Sequence, residues 1–174
     1  MRLTITILLL FSVLLCAQEK EEEATLFPSF TMEDIDGNLI CLDSLKGQGP
    51  IFISFWATWC KPCIKELKEI EKLYRVYSDS GFVALAINED GVRLVRQLPR
   101  YVYKYGFSFP VIWDDGDLKK RAAVTDLPTS FWLNAQGEIV KRTRGFKPGD
   151  EKEFKRLITE LMIPETSEGT NEEE

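Results

Sequence analysis

The chain has no histidine, and that absence removes much chemistry at once. Acid–base work must fall to a carboxylate if any side chain does it. A zinc site takes about four Cys or His ligands. Only four cysteines exist, and one of them, Cys16, lies in a segment read below as an export signal. Zinc is therefore a poor reading of the cysteines. A basic excess is missing too. Lys and Arg number 22 against 28 Asp and Glu, for a net charge of −6. That balance argues against nucleic acid as a partner, because phosphate contacts need clustered cations. No tandem repeat is present. No apolar run comfortably reaches the about 20 residues that span a membrane. What is there is 174 residues, 44% of them hydrophobic, enough for one domain with appendages and a real core.

The ends are the appendages. Met1-Arg2 followed by the apolar run Leu3 to Ala17 has the shape of a secretory signal, residues 1–17. Cleavage after Ala17, lipid attachment at Cys16 and an uncleaved anchor are all compatible with it. Each places the rest of the chain outside the cytoplasm, facing the periplasm, where disulfides persist. Residues 18–25 form a polar linker, with five charges between Gln18 and Ala24. Residues 26–163 form the domain. Residues 164–174 carry five glutamates and read as a disordered acidic tail.

Within the domain, two thiols two residues apart stand out: Trp59-Cys60-Lys61-Pro62-Cys63. Ile51 to Trp56, just before them, is an apolar run of strand length. Ile64 to Tyr74, just after, repeats Leu67, Ile70, Leu73 and Tyr74 at helical spacing. The pair thus sits where a buried strand hands over to an amphipathic helix, with Pro62 suited to the helix's first turn. Cys60 at that N-terminus faces unpaired N–H groups that favour an anion, so its thiol should titrate below the usual value of about 8.5. Lys61 adds positive charge. Cys63, one turn in, is the more covered thiol. An exposed low-pKa thiol beside a resolving thiol is the minimum apparatus of disulfide exchange. A structural staple is the plainer reading, but so short a loop restrains an unfolded chain very little.

Phe55-Trp56-Ala57-Thr58-Trp59-Cys60-Lys61-Pro62-Cys63 resembles the active-site signature of thioredoxin-like proteins. More narrowly, it resembles that of the bacterial TlpA/ResA-like group, which are extracytoplasmic thiol–disulfide oxidoreductases. The resemblance spans roughly residues 26–161. It implies an α/β thioredoxin-like fold: a mixed sheet of segments 51–56, 82–88, 129–133 and 138–143 with helices on both faces. It adds an N-terminal β-hairpin within Leu26–Leu45, turning at Asp36-Gly37, and an αβ insertion over Val92 to Trp113. Pro99 should break or kink the insertion's helix near Leu98. A short helix, Asp117–Val124, and a closing helix, Asp150–Met162, complete the expectation.

The same resemblance assigns roles. Ser54 stands where thioredoxin has a buried aspartate that assists proton transfer, so this chain lacks that acid. Glu66 shares a helix face with Cys63 at i, i+3, and by resemblance it accepts the proton from Cys63. The alternative is a solvated partner for a lysine on the same helix. Pro128 matches the proline that follows a cis peptide beside the cysteines. The backbone of Leu127 would pair with an extended substrate as an added strand. Trp59, Lys61, Pro62 and Leu127 would border that groove, and Gly145 would sit on a third loop approaching it. The implied function is exchange with protein thiols and disulfides, in the reducing direction as in cytochrome c maturation, with electrons from a membrane thiol partner. No metal or organic cofactor is implied, because the Cys60–Cys63 dithiol is the redox centre.

Two other classes share parts of this pattern. A thiol peroxidase would place its reactive cysteine in a different setting, and peroxide turnover would reveal it. A non-enzymatic binding module would keep the disulfide closed, and Cys60 would fail to alkylate after mild reduction. Cys41 reads as an ordinary small side chain, or more sharply as a regulatory thiol. The stretch containing Arg93, Arg96, Arg100, Tyr101, Tyr103, Lys104 and Tyr105 reads as a solvated face or a partner surface.

Overall fold

The computed structural model describes residues 24–163. The signal segment, most of the linker and the acidic tail lie outside them. Strand β1 (Thr31–Glu33) pairs antiparallel with β2 (Leu39–Cys41). Asp34 closes the turn between them: its carboxylate accepts the Asp36 N–H at 2.9 Å and the Asn38 N–H at 2.8 Å. Gly37 supplies the left-handed φ of +85°.

The main sheet runs β5-β4-β3-β6-β7. Strands β3 (Ile51–Trp56), β4 (Val83–Asn88) and β5 (Val111–Trp113) are parallel. Strand β6 (Thr129–Leu133) runs antiparallel to β3, and β7 (Ile139–Arg144) runs antiparallel to β6. The four expected segments pair, and Val111–Trp113 of the insertion adds a fifth strand at one edge. The hairpin caps that edge, with the Ile35 N–H bonded to the Val111 carbonyl at 2.9 Å.

Among the described residues, six α-helices flank the sheet: α1 (Leu42–Leu45), α2 (Lys61–Tyr77), α3 (Val92–Val95), α4 (Leu98–Tyr105), α5 (Asp117–Arg121) and α6 (Asp150–Leu161). The period of two along a strand sorts side chains between the two faces. Phe52 and Trp56 of β3 join Leu67 of α2, Leu98 of α4 and Phe154 of α6 in one core. Ile51, Ile53 and Phe55 join Leu42 of α1 and Leu118 of α5 in the other. Helices therefore cover both faces, and β3 is buried along its whole length.

Two boundaries differ from expectation, each for a local reason. Residues 42–45, expected to belong to the N-terminal hairpin, form a helical turn because Leu42 is buried against the second core. As expected, the helix of the insertion breaks near Leu98, at Arg96-Gln97, and Pro99 falls in the first turn of α4, where its missing N–H breaks no bond. Helix α5 stops at Arg121 because Ala123 turns to φ +52°. Its start is as read: Asp114 accepts the Leu118 and Lys119 N–H groups at 3.1 and 2.9 Å.

Candidate active site

Strand β3 delivers the chain to the end of the sheet, and the turn Ala57–Cys60 launches α2. The Cys60 N–H bonds to the Ala57 carbonyl at 3.0 Å, which closes that turn. Cys60 is the N-cap of α2 and Pro62 lies in its first turn. Cys60 and Cys63 form a disulfide, with Cα atoms 5.3 Å apart. The Cys63 N–H points at Cys60 Sγ from 3.3 Å. That is the contact a capping thiolate needs, because a helix N-terminus offers unpaired donors and a positive dipole end.

One expectation about the pair needs correction. Cys60 was expected to be exposed, but it is 5% exposed and Cys63 is fully buried. Both belong to the first core beside Ala57 and Ile64, with Leu127 packed against the same cluster. Trp59, immediately before the pair, carries the exposure instead, at 67%. Lys61 and Pro62 are exposed beside it.

Glu66 lies one turn below Cys63 and is fully buried, so it is not a solvated partner for a lysine. Its two oxygens accept hydrogen bonds from Ser54 Oγ at 2.6 Å and Ser130 Oγ at 3.0 Å. The alternation of the strands explains why these two serines meet there. Ser54 lies between Phe52 and Trp56 on the α2 side of β3, and Ser130 pairs with it in register on β6. Burial pushes the Glu66 carboxyl up to about 7; the two serine hydrogen bonds pull against that shift, and Asp150 adds a little to it. Ser54 was legible as the place of a missing acid. Ser130 was missed, although a serine opening an otherwise apolar strand opposite Ser54 was the available signal.

The peptide between Leu127 and Pro128 is cis. The Pro128 carbonyl accepts the Gly145 N–H at 2.8 Å, so the proline loop and the Gly145 loop are joined directly. Gly145 has φ +76°, a conformation suited to glycine. Phe146 beyond it packs against Phe154 and the first core. Leu127 is half-buried and borders both cores.

Asp90 also supports the site, a role that sequence reasoning missed. It is 2% exposed. One carboxylate oxygen accepts the Thr58 N–H and Asn88 Nδ2, both at 3.0 Å. The other is buried without a partner. Trp113 Nε1 donates to the Asp90 carbonyl at 2.7 Å. Thr58 is two residues before Cys60, so Asp90 ties the active-site turn to the end of β4. Next to it, burial and the Asp114 carboxylate push Glu89 up to about 7, with Lys119 opposing. A cavity of about 710 Å³ lies elsewhere, at the opposite end of the sheet around Gln48, Asn134 and Met162, away from the cysteines.

A family model described as AhpC/TSA matches residues 24–142. A thiol–disulfide oxidoreductase ResA from Halalkalibacterium halodurans is 39% identical over 132 residues, covering 75% of this chain and 73% of that protein. This chain belongs to the AhpC/TSA family and is a ResA-like thiol–disulfide oxidoreductase. A ResA from Bacillus thuringiensis subsp. konkukian is 33% identical over 144 residues, 82% of each chain. The fold is matched by the crystal structure of a thiol:disulfide interchange protein of the thioredoxin family from Chlorobium tepidum. The two superpose with a TM-score of 0.69 at 25% identity, over 82% of this chain and 99% of that one. The thioredoxin-like fold and the oxidoreductase class read from the cysteine motif are therefore those of its relatives.

Proposed function

We propose that this ResA-like protein works outside the cytoplasm as a reductant of protein disulfides, of the kind cytochrome c maturation requires. The observation that carries the reading is the cysteine pair capping α2 one turn above a wholly buried carboxyl. In the reduced form the Cys60 thiolate, favoured by the Cys63 N–H, attacks one sulfur of a substrate disulfide. The substrate's other sulfur leaves as a thiolate and takes a proton from solvent. Cys63 then attacks Cys60 Sγ in the mixed disulfide. Glu66, titrating near neutrality, takes the proton from Cys63 as its sulfur becomes the nucleophile. The bond between Cys60 and the substrate breaks, and the substrate's second sulfur leaves as a thiolate that is protonated from solvent. The substrate departs as a dithiol carrying two electrons given up by Cys60 and Cys63, which are left joined. A membrane thiol partner reduces the pair again. The dithiol is itself the redox centre.

Trp59, Lys61, Pro62 and Leu127 border the substrate groove in this reading. Pro128 and Gly145 form its floor, and the Leu127 backbone receives the substrate strand. The signal segment, cleaved, lipidated or retained, places the domain on the periplasmic side. The test is the reduction potential of the Cys60–Cys63 pair, obtained by equilibration with thiol buffers and read by tryptophan fluorescence. A value near about −270 mV or lower is expected for a reductant. A value near about −120 mV marks an oxidant and ends the maturation-type assignment.

A further inference from the structure

The exposed edge of α2 and the adjoining face of α4 carry cations without counter-ions on an otherwise acidic protein. Lys61, Lys65 and Lys68 recur at i, i+4 and i+7 along α2 and are all exposed. The stripe begins at the residue next to Cys60 and runs about 10 Å along the helix. At its far end Lys68 Nζ lies 5.4 Å from the centre of the Tyr105 ring, and Lys104 Nζ of α4 lies 5.7 Å from the centre of the same ring. The stripe thus continues onto the insertion. There Gln97, Arg100, Tyr101 and Lys104 line a cavity of about 220 Å³. Tyr101 stacks on Tyr105, and Tyr105 on Phe107, so the aromatic floor is tied to the core.

Three features set this face apart from an ordinary solvated helix surface. Residues 91–113 contain four cations and no acid, in a chain whose net charge is −6. Among the described residues, Lys61, Lys65, Lys68, Arg100 and Lys104 form no ion pair, whereas Lys72 and Arg75 further along α2 do. The face also combines arginine with fixed tyrosines, the residues enriched where proteins bind proteins.

We propose that this face docks an acidic segment of the protein whose disulfide is exchanged at Cys60. The inference rests on the oxidoreductase reading above and specifies its substrate class. An extended segment rises about 3.3 Å per residue, so about three residues reach from Lys61 to Lys68, and the next carboxylates meet Lys104 and Arg100. Held there, the partner keeps its cystine beside the cysteine pair. Complementary charge acts mainly on the encounter rate, and salt weakens it.

The test uses the reduced protein and three cystine peptides that differ only in whether Glu, Gln or Lys flanks the disulfide. At about 50 mM salt the Glu peptide should be reduced about tenfold faster than the Gln peptide, with the Lys peptide slowest, and about 300 mM salt should shrink the spread. In the variant Lys68→Gln/Arg100→Gln/Lys104→Gln the Glu-to-Gln ratio should fall towards one. Equal rates for all three peptides with the unmodified protein would overturn the proposal, whether or not the face then binds vesicles of anionic phosphatidylglycerol. A preference that survives both salt and the variant would overturn it as well. Failure to exchange with any peptide would instead bring down the oxidoreductase reading beneath it.

Discussion

Replacing Glu66 by glutamine should remove a stability change that the natural protein undergoes near neutral pH. The carboxyl is fully buried and titrates at about 7, against 4.5 for the ordinary group. Between those values the folded protein keeps a proton that the unfolded chain has already released. Stability therefore falls as pH rises through this window. The contribution is fully present below about pH 4.5 and lost once pH passes about 7. A shift of about 2.5 units at 1.36 kcal/mol per unit gives a change of about 3 kcal/mol. Glutamine has the same shape, and its carbonyl and NH2 can serve the Ser54 and Ser130 hydroxyls, so it stands in for the protonated acid at every pH. Urea unfolding of both oxidised proteins from about pH 4.5 to about pH 8 measures the effect, and the difference between them cancels the other titrating groups. The variant should gain on the natural protein by about 3 kcal/mol across that range. A difference that stays constant within about 1 kcal/mol would refute the claim that burial raises the Glu66 pKa.

Asp90→Ala should free the Thr58 N–H and loosen the turn that places Cys60 over the first turn of α2. The Cys60 thiolate pKa, read from alkylation rate against pH, should rise by about one unit. Asp90→Asn, whose amide oxygen can keep both contacts, should stay near the natural value, and an unshifted Ala variant would contradict the tether. Phe52→Ala should cost about 3–5 kcal/mol in urea unfolding. The ring is wholly buried, 4.7 Å from Trp132 and 6.1 Å from Phe154 between centroids. A cost below about 1 kcal/mol would mean that the α2 side of the sheet is not packed as described.

The parts of the site that follow from local spacing were legible in the sequence. The strand before Cys60, the amphipathic period after it and Pro62 in the first turn place the cysteines at a helix N-terminus, and α2 begins there. Glu66 was legible as lying on the Cys63 face, because helical spacing fixes that, but its depth was not. Whether a carboxyl at i+3 meets water or serines depends on what the sheet presents beneath it, which only strand register decides. Asp90 was missed for a similar reason. Its partner, Thr58, lies 32 residues away in sequence, and the two meet because β3 and β4 end side by side, Trp56 opposite Asn88. The break in the insertion helix was legible because proline acts on its own backbone. The burial of Cys60 was not, because it depends on neighbours from the core and from the Leu127 loop. The role of Pro128 and the reducing direction came from resemblance alone, since no pattern of propensity predicts either.

The central claim is that Cys60 opens the exchange and Cys63 closes it. The most direct measurement compares the natural protein with Cys60→Ser and Cys63→Ser in reducing a disulfide-bonded protein, with products separated under non-reducing conditions. The natural protein should turn over and leave no adduct. Cys63→Ser should stop after one event, held to substrate through Cys60, and Cys60→Ser should form no adduct and reduce nothing. A Cys60→Ser protein that keeps its rate, or a Cys63→Ser protein that forms no adduct, would contradict the account.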